Sequence, residues 1–98
     1  MDLKPLIFDE AFEAEVKEAV AWYEPIGLNL SHDLQAEIQK GLNSILQNPK
    51  AWSFIKNPYR HKILSRFPYS IIYLEETDRI LVLAFSHFKR KPDYWLKK

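Results

Sequence analysis

Two apolar runs late in the chain, YSIIYL over 69–74 and ILVLAF over 80–85, limit the possible folds more than any other feature. They lie in β-rich runs of about Tyr69 to Glu75 and Arg79 to His87, separated by ETD over 76–78, which reads as a tight polar turn, so the pair predicts a β-hairpin. A strand with one solvated face alternates polar and apolar residues, and these two do not. Both faces of the hairpin therefore need cover, which demands at least one further layer on each side.

The first half of the chain supplies candidates for one layer. Asp9 stands where a helix N-cap would be, with Glu10 and Glu13 in the first turn, and Phe12, Val16, Ala19, Val20 and Tyr23 follow at helical spacing. Pro25 and Gly27 break that helix near Glu24. A second amphipathic helix is expected from about Asn29 or Ser31, with Leu34, Ile38, Leu42, Ile45 and Leu46 on one face, ending at Asn48 because the residue before Pro49 avoids helical geometry. The two make an antiparallel helical hairpin. Ahead of them, Leu3 to Phe8 reads as a short strand, at an edge or with Pro5 near its start.

After a loop with Trp52, Phe54 and Pro58, a third β-rich run spans about Tyr59 to Arg66, placing Arg60, Lys62, Leu64 and Arg66 on one side and His61, Ile63, Ser65 and the following Phe67 on the other. The order strand, helix, helix, strand, strand, strand gives an α+β fold, a mostly antiparallel sheet with the helical hairpin on one face. The aromatic end, Phe88 to Trp95, is the nearest candidate to cover the other.

The 98 residues suit one domain, 1–98, with a single core. Absence of cysteine removes disulfides and thiolate metal sites. The longest apolar run, Ile80 to Phe85, is far short of the roughly 20 residues of a spanning helix. Met1 to Pro5 has no basic segment leading into an apolar stretch, so a cytoplasmic protein is expected, with no membrane association. The three histidines lack metal-ligand spacing, and neither metal nor cofactor is expected.

A net charge of +1 hides an uneven distribution: residues 1–48 carry three lysines against nine carboxylates, and residues 49–98 carry eleven cations against four. The halves can pair with one another or offer a basic surface to an anionic partner. Arg60, Lys62 and Arg66, at period two, together with Lys89, Arg90 and Lys91, are the candidates for that surface, with Tyr94 beside them. The arginines are favoured as specific contacts because a planar guanidinium matches carboxylate and phosphate. His87 is a candidate acid or base, or a strand-end histidine hydrogen-bonded to backbone or to a carboxylate. Tyr73 and Trp95 are expected to pack against the sheet, and Trp22 and Tyr23 to serve the hairpin and core.

AVAWYE in the first helix, ILQNP closing the second, and RFPYSIIYLEETDRILVLAFSHFKRKPDYW resemble the ParE branch of the RelE/ParE toxins of type II toxin-antitoxin systems, the plasmid-stabilisation branch, over nearly the whole chain. The resemblance implies a small bacterial toxin, neutralised by a cognate antitoxin, with DNA gyrase as target ahead of the ribosome. The enzymatic alternative it implies is a RelE-like ribosome-dependent mRNA endoribonuclease using His87 and Arg90 with the basic residues Arg60, His61 and Lys62. RelE-type enzymes carry an arginine where this chain has Ser70, and Arg90 matches their arginine after the last strand. A relative that keeps only antitoxin binding is the third possibility.

Overall fold

The computed structural model describes residues 3–96. Strand β1, Leu6–Phe8, is followed by helices α1, Glu10–Tyr23, and α2, Leu28–Gln47, then by strands β2, Phe54–Lys56, β3, Tyr59–Ile63, β4, Tyr69–Glu75, and β5, Ile80–His87. A short 3-10 turn, Tyr94–Leu96, closes the described chain. The sheet order is β1-β5-β4-β3-β2, antiparallel except that β1 runs parallel to β5.

Local chemistry sets the helix ends. The Asp9 carboxylate accepts from the Ala11 N–H at 2.8 Å, capping α1, and Glu10 and Glu13 lie in the first turn where the helix dipole favours anions. At the other end Ile26 and Gly27 both donate backbone N–H to the Tyr23 carbonyl at 3.0 Å, and the chain reverses into α2. That helix begins at Leu28, slightly earlier than its polar residues suggest, and stops at Asn48 before Pro49 as expected.

The helices cover one face of the sheet. From α1, Phe12 and Ala19 are buried; from α2, Leu34, Ile38, Leu42 and Ile45 join Leu64, Phe67, Ile71, Tyr73, Ile80, Val82 and Phe85 in one core. Tyr73 is fully buried, and its O–H donates to the Pro49 carbonyl at 2.6 Å, so the phenol is satisfied inside the core. A bulge sets Ile72 opposite Ala84 and Tyr73 opposite Val82, so Leu83 has no counterpart on β4.

Ile72 and Ala84 are buried yet stand apart from that core. They lie on the second face, where the C-terminal segment folds back: Trp95 packs edge-on to Tyr59 at 4.9 Å, and with Tyr94 and Leu96 it borders a cavity lined by Leu74, Leu81, Leu83 and Ala84. Both faces of the apolar hairpin are thus covered, by different means.

Three details differ from the sequence expectation. The first strand is confined to Leu6–Phe8, because Pro5 lacks an N–H and contributes only its carbonyl, to Ile80 N–H at 2.9 Å. The loop after α2 contains an extra edge strand, β2, whose three residues are all exposed and so carry no periodic signal. The third predicted strand ends at Ile63 rather than Arg66, since the chain bends there and the Leu64 N–H already meets the Tyr69 carbonyl at 3.0 Å. Among the described residues no helix is long and apolar enough to cross a membrane.

Candidate interaction site

Because β3 ends at Ile63 and its residues alternate, the predicted basic residues divide between two places. Arg60 and Lys62 face the helix side. The Arg60 guanidinium donates to the Trp52 carbonyl at 2.7 Å and lies 4.0 Å above the Phe54 ring, and the Lys62 ammonium lies 4.1 Å above the Trp52 ring. Arg66, in the bend, reaches Asp33 at 3.3 Å while its backbone N–H and the Ser65 hydroxyl address Glu37. The two carboxylates of α2 therefore take up Arg66 and its neighbour Ser65, and the single surface expected from Arg60, Lys62, Arg66 and the Lys89–Lys91 run does not assemble.

A different set does come together on the second face. His61 and Ile63 of β3, Ser70 of β4 and Ser86 of β5 form the floor of a groove of about 470 Å³, with His87 at the end of β5 on its margin and walls from Ile55, Phe88, Arg90, Lys91 and Trp95. Ile55, Ile63 and Phe88 are 40%, 50% and 58% exposed there, so a largely polar floor meets walls that are part apolar and part cationic. Burial lowers the pKa of His61 from 6.5, which favours the neutral ring near neutrality. The His87 Nδ1 accepts from the Lys89 backbone N–H at 3.0 Å, placing the proton of a neutral ring on Nε2. That is the backbone-bonded arrangement weighed for a strand-end histidine. Lys89 and Lys91 are exposed and have no ion-pair partner among the described residues.

One side chain fixes the wall of this groove. Glu15 of α1, with its side chain 13% exposed, accepts from the Phe85 backbone N–H at 2.9 Å with one oxygen. Its other oxygen accepts from the Tyr94 O–H at 2.7 Å and pairs with Arg90 at 3.6 Å. The Arg90 guanidinium in turn lies 3.7 Å above the Tyr94 ring. Burial, reinforced by the hydrogen bond to Glu15, pushes Tyr94 up to about 12. At the opposite end Lys56 pairs with Asp93 at 3.6 Å. Sequence reasoning singled out Arg90 and Tyr94 but missed Glu15. The available signal was its position three residues after Phe12 and four before Ala19, on the flank of the buried stripe rather than opposite it.

Trp22 corrects another expectation: it is 67% exposed and does not serve the core, whereas Tyr23 packs edge-on to Phe67 at 5.4 Å. Among the described residues no three His, Asp or Glu side chains converge to hold a metal ion.

No family model matches the chain, and no curated protein matches it. Among solved structures it is similar to a chain described as the chromosomal ParDE TA system from P. aeruginosa, at 16% identity and a TM-score of 0.75, over 86% of this chain and 95% of that one. Two helices packed on a five-stranded mixed sheet, in the same arrangement through most of both chains, give this protein a ParE-like fold.

Proposed function

We propose that the chain is the toxin component of a type II toxin-antitoxin system, of the ParE-like kind, which arrests growth by binding an intracellular target and is neutralised by a cognate antitoxin. The observation that carries this reading is the likeness in fold to a ParDE toxin-antitoxin chain through most of both chains. DNA gyrase is the target this reading favours. Ser70, where the ribosome-dependent nucleases have an arginine, is nearly buried in the groove floor and supplies no cation for a crowded phosphate. The contact residues proposed are Arg90 and Lys91, which border the groove, with the exposed Lys89 next to them; Tyr94 and Glu15 hold Arg90 in place. Arg60, Lys62 and Arg66 act in this reading through the packing of β2, β3 and α2.

Expression of the chain alone in a bacterial host, from a tightly repressed promoter, tests the reading. DNA double-strand breaks preceding any loss of protein synthesis, with growth restored by co-expressing the product of the adjacent gene, are expected. Translation arrest with cleaved mRNA coming first would replace gyrase by the ribosome, and unimpaired growth would leave only the fold and antitoxin binding.

A further inference from the structure

A second recess lies on the other side of Glu15. Strand β1 accompanies β5 only as far as Val82, so beyond that point α1 stands directly beside the end of the hairpin. The recess, about 420 Å³, has one wall from the α1 stripe that includes Glu18, Trp22 and Tyr23, and another from Tyr69, Phe85 and His87. The Tyr69 ring is stacked on Phe85 at 4.5 Å and 3°, and it meets His87 edge-on. These contacts fix the floor while Trp22 stands free at the rim.

The combination of ring and carboxylate already has a guest elsewhere in the molecule. Every described cation–π contact places a cation from β3, the bend after it or the tail over an aromatic ring, and Arg90 is held by a ring and a carboxylate together, Tyr94 and Glu15. One turn further along α1, Glu18 and the rings of Trp22 and Tyr69 repeat the combination, and Glu18 has no ion-pair partner among the described residues. Arg90 borders the recess too, but its charge is matched by Glu15 and its face by Tyr94. The balance left over is negative. Tyr69 feels it: burial first, then the nearby Tyr23 and Glu18, raise its pKa, so the phenol stays protonated and the carboxylate is the anion there.

We propose that this recess is a docking point for an arginine side chain of a protein partner, the guanidinium lying against the Trp22 indole with Glu18 as its counter-charge. It rests on the reading of the chain as a protein held by a protein partner, and it adds the chemistry of one anchor. Arginine fits better than lysine because its planar, weakly hydrated head stacks on an indole while still presenting donors to a carboxylate.

The test is an NMR titration of the isolated chain with N-acetyl-arginine N-methylamide, using the corresponding norleucine and glutamate derivatives as probes of shape and charge. The arginine derivative is expected to shift the Trp22 indole N–H and the Tyr69 ring signals saturably, and to bind more tightly than norleucine. Trp22→Ala and Glu18→Gln should each weaken it by about threefold or more, the size of one exposed cation–π or ion contact, with Glu10→Gln as an unaffected control. Trp22 and Glu18 are both exposed, so neither variant removes core packing, and unchanged amide signals across the sheet verify this. Equal binding of norleucine, a preference for glutamate, or loss of affinity in the Glu10→Gln control as large as in Glu18→Gln would overturn the proposal. Toxicity is read separately: a chain that arrests growth but ignores the arginine probe loses the recess alone, and a non-toxic chain that binds it loses only the functional reading.

Discussion

At the scale of single residues, Glu15 carries more than its position on an acidic helix implies. It satisfies a backbone N–H at the free edge of β5, receives the Tyr94 hydroxyl and neutralises Arg90. An unpaired strand edge invites another chain, and an inward-pointing carboxylate is one way to blunt it. Truncation by Glu15→Ala leaves the Phe85 N–H without its acceptor, so a loss of about 2–3 kcal/mol is expected from urea denaturation. Glu15→Gln keeps an acceptor for that N–H and should cost less than half as much. The Tyr94 shift makes a separate prediction. Its folded value, about 12, lies above the ordinary 10.0, so the neutral phenol stabilises the fold fully below pH 10 and that contribution disappears as pH rises toward 12. Tyr73 is pushed to about 12 as well, chiefly by burial. Tyr94→Phe should therefore reduce the slope of stability against pH between 10 and 12 without abolishing it, measured as the urea midpoint across that range.

At the scale of elements, the approach of α2 to the sheet depends on Gly41. A Cβ there would sit 3.0 Å from the Ile71 Cδ1 and 3.5 Å from the Leu64 Cδ2, so the helix rides closer to β3 and β4 than a larger residue permits. Gly41→Ala gains up to about 1 kcal/mol of helix propensity but must push the buried Ile71 methyl aside, so it should fall within about 1 kcal/mol of the parent. Gly41→Val adds bulk that no single methyl shift absorbs and should cost about 2–3 kcal/mol. If the Ile71 contact sets the balance, Gly41→Ala combined with Ile71→Val will be more stable than the two separate changes sum to, and a double-mutant cycle reads this directly. The sequence made the helical hairpin and the β4–β5 hairpin legible because each depends on a period within a few residues. It did not reveal the parallel pairing of β1 with β5, which joins segments more than seventy residues apart. Nor did it reveal β2, three exposed residues without alternation. The candidate site was half legible for a related reason. Arg90, His87, Lys91 and Tyr94 follow one another at the end of β5, but the separation of Arg60, Lys62 and Arg66 from them depends on which side of β3 faces α2 and on where that strand stops.

At the scale of the molecule, the acidic first half and basic second half meet through a few definite contacts, Asp33 with Arg66, Glu37 with the 65–66 backbone and hydroxyl, and Glu15 with Arg90. The end of β4 reverses the pattern: Glu75 receives Lys4 at 2.7 Å and Lys50 at 2.8 Å, joining the approach to β1, the segment after α2 and the sheet. Burial by itself would raise the Glu75 pKa, but hydrogen bonds and charge from the two ammonium groups outweigh it and hold the carboxyl below its ordinary 4.5. Its contribution is thus complete above pH 4.5 and is lost as pH falls through the depressed value. His61 acts at higher pH. Burial depresses its pKa below 6.5, so the unfolded chain binds the proton first and stability begins to fall once pH drops under 6.5. The acid limb should accordingly contain two separable parts. In urea midpoints taken from pH 8 to pH 3, His61→Gln should flatten the region just under pH 6.5 and leave the lower part unchanged. Glu75→Gln should do the reverse, with an additional loss of about 1–2 kcal/mol at neutral pH because two lysines lose their shared carboxylate. A single slope that both substitutions alter equally would mean that the histidine on the second sheet face and the carboxylate at the far end of β4 titrate as one unit, and the independence of these two regions would be wrong.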